Sequence, residues 1–399
     1  MVLLTALRWD EARDTVRRLV DGSSRPAVES VPLVSALGRV LAQDIQADRP
    51  YPPLSRSMRD GYAVRTINLP GRLRVTGEIR AGEPATRSVE DGECIEIMTG
   101  APVPAGADAI LMVEHAERDG DLIDTKRFLN PGDNISATGC EACAGESVIE
   151  AGARIDYAHI GVLATVGADT IGVYKKPSAS IIATGDELVR VQERPESYQI
   201  RNSNSFSLAA QIERAGGQVA FQTVAPDTSE SLRDAMDRAF EADLVVLSGG
   251  VSAGKYDLVE AVLAEYDAEF FFTRVLIQPG QPAVFGRARG KFFFGLPGNP
   301  VSTMVTFELF ARLALELLAG DRAPRLPLSR SRLTANFRHK TGLTRFLPAL
   351  LTEQGEAVTP VKWHGSGDVF AVARANAFLV AEAEREYWNA GDQIRVLPR

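Results

Sequence analysis

Between residues 177 and 322 the chain alternates short, unbroken apolar runs with stretches of helical periodicity, which restricts its fold more than any other feature. PSASIIAT, QVAFQTVA and DLVVLSGG read as strands, the last buried on both faces by its apolar run, and residues 204–215 and 228–240 carry helix patterns between them. Strands buried on both faces and joined by helices of about 12 residues build an open α/β sheet with parallel strands. A short helix over 258–266, strands near 269–277 and 282–286, KFFFGL and a helix after Gly298 complete that domain. Such sheets hold ligands beyond the carboxyl ends of their strands, where loops and helix starts converge.

The rest of the chain has a different texture. Residues 10–20 read as a helix, and VPLVSALGRVLAQDI reads as strand, turn and strand broken at Gly38. RLRVTGEI, ECIEIMTG and DAILMVEHA are period-2 runs separated by Gly, Pro and Asp, the pattern of a β-rich domain. YAHIGVLATVGADTIG then returns as helix, turn and strand to the first region. The expected fold class is multidomain α/β. An elongated α+β region (1–47 plus 145–176) carries an inserted β-rich domain (48–144), followed by the α/β domain (177–322) and a small all-β module (323–399).

A chain of 399 residues normally divides its core in this way. The formal charge of −8 gives no general footprint for nucleic acid or anionic lipid. The start of the chain lacks the cleavage pattern of a signal peptide. Glu308, Arg312 and Glu316 break up the most apolar later stretch, reading as the wet face of a surface helix rather than a membrane span. A cytoplasmic location, with no membrane and no nucleic-acid partner, is expected. Cys94, Cys140 and Cys143 are too few for a disulfide scaffold. Cys140 and Cys143 form a CxxC that reads as structurally incidental, with a redox or metal pair as the alternative.

Three strand ends of the α/β sheet are polar and rich in small residues: Thr184 to Glu187, SGGVSAG from Ser248, and GLPGNP from Gly295. Small residues let backbone N–H groups approach an anion. Ser248, Gly249, Gly250, Ser252 and Gly254 therefore read as a phosphate or pterin-phosphate cradle, against a tight turn without a ligand. Asp186, Glu187, Asp227 and Asp257 lie near these ends, and carboxylates beside a phosphate cradle suggest Mg²⁺ between them. Each taken alone reads equally as a helix cap or a solvated loop residue. In the β-rich domain the proline-held RSMRDG loop around Asp60 reads as a preorganised site or as a connecting turn. Thr99 and Gly100 form another loop able to face the same cleft.

DGYAV at 60–64, IMTGAPVPAGADAILMVE at 97–114, ATGDEL at 183–188, SGGVSAGKYD at 248–257 and GLPGNPVS at 295–302 occur in this order. Together they resemble the molybdopterin molybdenumtransferases, the family that includes the gephyrin E domain, over essentially the whole chain. The resemblance implies an α/β domain like that of the molybdopterin adenylyltransferases, a C-terminal β barrel and a homodimer whose cleft is completed by the second subunit. It also implies insertion of molybdate into adenylylated molybdopterin, with release of AMP and with Mg²⁺. Transient contact with the adenylyltransferase and with apo-molybdoenzymes follows from that role. By position, Asp60 and Thr99 match residues on the molybdate and hydrolysis side. Glu187, Asp227 and Asp257 match carboxylates of the ligand and Mg²⁺ side. Pro297 and Pro300 match the PGNP turn, Arg274 matches a family lysine, and Ser366 matches a C-terminal serine facing the cleft.

Departures from the family pattern are local. Ser136 and Glu141 replace an arginine and an aspartate of a basic run, and Gln278 and Gln281 stand in a loop that carries lysines in some members. These changes leave open a tungsten-inserting paralogue or a non-catalytic molybdopterin-binding scaffold, with Arg56, Arg59 or Arg201 as compensating cations.

Overall fold

The computed structural model describes residues 6–23, 26–250 and 256–399, with the side chains of Tyr256 and Asp257 left outside the description. Ser252 and Gly254, expected in the cradle, and the Asp257 carboxylate therefore lie outside the described residues.

The α/β domain is a six-stranded sheet in the order Gln218–Ala225, Ser178–Thr184, Leu244–Ser248, Lys291–Leu296, Val284–Ala288 and Glu269–Phe272. The first four strands are parallel and the last two antiparallel. The central strands Ser178–Thr184, Leu244–Ser248 and Lys291–Leu296 are buried on both faces, whereas the edge strand Gln218–Ala225 alternates exposed and half-buried residues. One face packs Leu208 and Ile212 of the helix Asn204–Arg214, while the other packs Leu232 and Met236 of Ser229–Ala239. Phe285 stacks on Phe292 and Phe294 with ring centroids 5.6 and 4.7 Å away. Such buried aromatic pairs stabilise by about 1 kcal/mol beyond their area.

At the amino ends of the strands, away from the cradle, Asp243 accepts from the Ser178 N–H at 2.9 Å and its hydroxyl at 2.7 Å, and from Lys291 at 3.3 Å. Partial burial pushes this carboxyl up, but the Ser178 bonds and Lys291 outweigh it and hold it below the usual carboxylate range. A folded-state pKa below the unfolded value of about 3.9 gives stability that is present above that pH and is lost as pH falls through the folded value. Asp243→Asn is therefore expected to flatten the decline of the urea midpoint on acidification below about pH 4. An unchanged slope would show that Asp243 contributes nothing to acid sensitivity.

The amino-terminal helix, Trp9–Asp21, departs from the expected domain assignment. Its stripe of Trp9, Ala12, Val16 and Val20 is buried in the α/β core rather than in the elongated region. Beneath it runs a helical segment made of Pro300–Thr306, a π-helical stretch Phe307–Ala311, and Arg312–Leu318. The charges expected on its wet face are covered: Glu308 and Glu316 are only 6% and 7% exposed. Glu308 pairs with Arg214 and Arg312, Arg312 also pairs with Glu316, and Arg13 of the amino-terminal helix donates to the Leu309 carbonyl. Charges at four-residue spacing can be buried when each is paired, so the periodicity located the stripe but not its solvent exposure.

In the elongated region Val28–Pro32 pairs antiparallel with Thr170–Tyr174, and Ile45–Gln46 with Ser147–Ile149. Between these halves lies a six-stranded sheet in the order Ala109–Met112, Gly61–Val64, Glu93–Ile97, Gly71–Ile79, Leu122–Thr125 and Glu117–Asp119. Gly61 is obligatory there, because a Cβ would sit 1.9 Å from the Leu111 carbonyl oxygen.

The C-terminal module closes on itself. Thr344–Leu351 pairs with Ala357–Pro360, then come Ser329–Leu333, Gln393–Pro398 and Ala377–Ala381, which returns to Thr344–Leu351. Closure removes the free edges. Ile277–Gln278 adds a parallel pairing to Thr344–Leu351 and tethers the Gln278 loop of the α/β domain to this barrel. Among the described residues no helix is long and apolar enough to cross a membrane.

Candidate functional site

An open cleft of about 630 Å³ lies at the carboxyl ends of Ser178–Thr184, Leu244–Ser248 and Lys291–Leu296, between these ends and the barrel loop at Gly365 and Ser366. Ser248, Gly249 and Gly250 form its floor. Gly249 and Gly250 have φ of 92° and 67°, in the left-handed region. A Cβ on Gly249 would lie 2.5 Å from the Thr184 carbonyl oxygen, and one on Gly250 2.8 Å from Thr184 Oγ1. Side chains are thus excluded at Gly249 and Gly250, where the backbone itself forms the surface of the cleft. On the third strand end, Thr303 Oγ1 donates to the Pro297 carbonyl at 2.5 Å and the Val301 N–H donates to the Ser366 carbonyl at 2.9 Å. The PGNP turn and the barrel loop are thereby fixed together.

The expected residues Glu187, Ser248, Gly249, Gly250, Gln278, Pro297, Pro300 and Ser366 all line this cleft. Asn204 and Trp363, which sequence reasoning missed, line it too. Asn204 Nδ2 donates to Ser248 Oγ at 2.9 Å and to the Gly298 carbonyl at 2.7 Å, cross-linking two of the strand-end loops. Its Oδ1 and Thr184 Oγ1 are buried without a hydrogen-bond partner among the described residues. Buried polar atoms are nearly always paired, so two orphans in one cleft mark where a polar ligand belongs. Asparagines at a helix start beside a parallel-sheet edge were the available signal in RNSNS.

Other expected residues lie elsewhere. Asp227 is outside the cleft lining, with its N–H donating to Asp186 Oδ1 at 3.1 Å. Arg274 is also outside the lining and faces Gln281, whose amide oxygen, assigned from its hydrogen-bonding neighbours, accepts from Arg274 Nε and Nη2 at 3.1 and 2.8 Å. The glutamine at 281 thus has a defined partner, and the arginine matched to a family lysine is committed to it. Of the three proposed compensating cations, Arg201 lines the cleft, and Arg56 is paired with Glu141 at 2.6 Å. Among the described residues no three His, Cys, Asp or Glu side chains gather as a metal site. The donors described do not by themselves build the expected Mg²⁺ set.

Asp60 and Thr99 form a separate, exposed pair in the inserted β domain. Asp60 Oδ1 accepts from the Thr99 N–H at 2.7 Å and from its hydroxyl at 2.9 Å. Those bonds, the backbone one foremost, hold the Asp60 carboxyl below its usual range. The Gly100 N–H donates to the Ser57 carbonyl and the Ser57 N–H to the Ala101 carbonyl, fastening the two loops together. Neither Asp60 nor Thr99 lines the cleft of its own chain.

The elements define a multidomain protein in which an open α/β domain with a cleft at its strand ends is set among an inserted β domain, an elongated region and a closed barrel. Residues 7–167 match the family described as "MoeA N-terminal region (domain I and II)", residues 180–317 "Probable molybdopterin binding domain" and residues 330–398 "MoeA C-terminal region (domain IV)". The chain is similar to the molybdopterin molybdenumtransferase of Staphylococcus aureus, at 32% identity over 96% of this chain and 94% of that protein. Two crystal structures of the molybdopterin biosynthesis MoeA protein of Pyrococcus horikoshii share its architecture. One has a TM-score of 0.74 at 30% identity, covering 99% of both chains. The other has a TM-score of 0.82 at 28% identity, covering 99% of this chain and 100% of that one. The chain belongs to the molybdopterin molybdenumtransferase (MoeA) family.

Proposed function

We propose that this protein converts adenylylated molybdopterin and molybdate into molybdenum cofactor and AMP. The observation that carries the reading is the side-chain-free floor at Gly249 and Gly250, beside the orphaned Thr184 Oγ1 and Asn204 Oδ1. The Gly249 N–H is already donated to the Leu296 carbonyl at 3.1 Å, so the backbone donor offered to a phosphate oxygen at this floor is the Gly250 N–H, with Thr184 Oγ1 and Asn204 Oδ1 as further polar contacts. Water attacks the adenylyl phosphorus, the phosphoanhydride P–O bond breaks with the molybdopterin phosphate as leaving group, and the adenylyl group is released as AMP. Where a molybdate oxygen attacks instead, adenylyl-molybdate forms and water then cleaves it to AMP and molybdate. The two dithiolene sulfurs of the pterin replace two oxygens of molybdate, which depart as two waters with the two thiol protons and two protons taken from solvent. No protein nucleophile is required. The ionised Asp60, fixed by Thr99, orients molybdate or water through a hydrogen-bonded proton. On this reading a second copy of the chain brings its Asp60 loop to the cleft, which makes the homodimer the working unit. The product passes to apo-molybdoenzymes in the cytoplasm.

The test is AMP release from adenylylated molybdopterin by the purified protein with Mg²⁺ and molybdate, with tungstate in a parallel reaction. AMP release together with cofactor able to reconstitute an apo-molybdoenzyme is expected; absence of both with either oxyanion would refute the reading. Faster turnover with tungstate would assign tungsten as the metal. The uncharged Gln278 and Gln281 favour a second reading, a binding scaffold without turnover, because each lost charge-assisted bond weakens oxyanion binding by about 1–2 kcal/mol. Tight pterin binding in calorimetry with no AMP release would select it.

A further inference from the structure

The loop carrying Cys140 and Cys143 lies directly against the Asp60 loop. Ile135–Ser136 pairs antiparallel with Arg56–Ser57, placing Ser136 opposite Arg56. The chain then turns through Gly139, at φ 73°, into CEAC. Four backbone bonds fasten this turn to the proline-rich stretch before Arg56. The Gly139 N–H donates to the Pro52 carbonyl, the Glu141 and Ala142 N–H groups to the Tyr51 carbonyl, and the Tyr51 N–H to the Ala142 carbonyl. Glu141, between the two cysteines, holds Arg56 at 2.6 Å. The pair of thiols thus brackets the residue that positions the first cation of the RSMRD run.

Both thiols are free and exposed, whereas Cys94 is buried. Cys140 Sγ touches Ser136 Oγ at 3.3 Å, and Cys143 Sγ lies 3.8 Å from the Gly139 carbonyl oxygen, against the peptide that carries Cys140. The Cys143 N–H is fixed by Glu146 at 2.8 Å. Two exposed thiols three residues apart, on a backbone held at both ends, meet the access requirement for exchange. A metal is less well served, since among the described residues no third His, Cys, Asp or Glu joins them as a ligand set. Cys94 is no competitor, because burial pushes its thiol up to about 12.

We propose that Cys140 and Cys143 form a reversible dithiol–disulfide site whose oxidation locks the Glu141 turn against the Arg56 loop. Glutathione disulfide serves as the oxidant. One cysteine thiolate attacks a glutathione sulfur, forming a mixed disulfide and releasing one glutathione thiolate. The second cysteine thiolate then attacks the protein sulfur of that mixed disulfide, forming the Cys140–Cys143 bond and expelling the second glutathione. Two electrons pass from the cysteines to glutathione disulfide, and the two cysteine protons end on the two glutathione thiols. The cross-link lowers the entropy of the locally open loop and so favours the closed one. Its bearing on turnover rests on the transferase reading; the thiol chemistry does not.

The full chain is equilibrated in glutathione buffers of graded ratio, quenched with acid, denatured and alkylated. The expected result is a fall from three alkylated cysteines to one, a peptide map joining Cys140 to Cys143, and full reversal by dithiothreitol. Cys140→Ser and Cys143→Ser should each yield only a single glutathione adduct at the remaining partner. Hydrogen exchange at residues 56–59 should slow about tenfold on oxidation of the wild type and in neither variant. Thiols that stay free at every ratio, links only between chains, stoichiometric Zn²⁺ that protects both thiols, or unchanged exchange after oxidation would each overturn the proposal. Absence of AMP release from the fully reduced protein would refute the transferase reading while leaving the mass and exchange results to decide the disulfide.

Discussion

Gly249→Ala is expected to cost the protein about 2–3 kcal/mol of stability and about a hundredfold in affinity for molybdopterin. Two causes add. The residue sits at φ 92°, where a Cβ is strained, and that Cβ would stand 2.5 Å from the Thr184 carbonyl oxygen. The oxygen belongs to backbone at the end of a central strand and has no rotamer in which to retreat, so the floor itself must shift. A shift of the floor also strains the Gly249 N–H bond to the Leu296 carbonyl and displaces the neighbouring Gly250 N–H from a bound phosphate, a charge-assisted bond of about 1.5–3 kcal/mol. Gly298→Ala supplies the comparison, because its Cβ would meet Gly249 Cα at 3.4 Å, near ordinary contact. Urea denaturation and calorimetry of both variants check the expectation. Equal behaviour of the two proteins would show that the close approach at 249 is unimportant.

Asp60→Ala is expected to lower turnover about a hundredfold, the scale of a lost positioned acid or base group, with no change in the urea midpoint. Asp60 is exposed, and among the described residues its side chain bonds only to Thr99, so removing it leaves no buried group unpaired. Asp60→Asn separates charge from hydrogen bonding: low activity in both variants assigns the role to the charge, whereas recovery in the amide assigns it to the contact with Thr99. The Thr99 bonds favour the charged form, so any acid limb in the wild-type rate above about pH 4 comes from another group. Thr99→Val removes the hydroxyl bond and should move the Asp60 limb upward in pH. Activity equal to wild type in Asp60→Ala would remove this residue from the mechanism.

The α/β domain was readable because its strands and helices differ in apolar period, 2 or continuous against 3.6, and each element carries that difference within about 12 residues. Thr228 at the start of this pattern caps Ser229–Ala239 by accepting from the Ser231 N–H, a contact within three residues. The cleft-lining glycines and prolines were readable for a similar reason, since small residues cluster at the strand ends within a few positions. Asn204 was passed over because an asparagine at a helix start has a local explanation as a cap, and only the fold brings Ser248 and Gly298 to it from 44 and 94 residues away. Glu308 and Glu316 were misplaced for the opposite reason: their spacing is local, but the helix that covers them lies some 300 residues upstream in the chain.

Local composition and periodicity determined the alternating strands and helices of the α/β domain, the β-rich texture of the inserted and C-terminal segments and the side-chain-free strand ends, because each depends on neighbours in sequence. Tertiary structure alone decided that Asp227 and Arg274 stand outside the cleft, that the amino-terminal helix covers a charged stripe, and that Asp60 lies apart from the cleft of its own chain. Those outcomes depend on packing between distant segments, and pairing across such distances leaves no periodic trace in either partner.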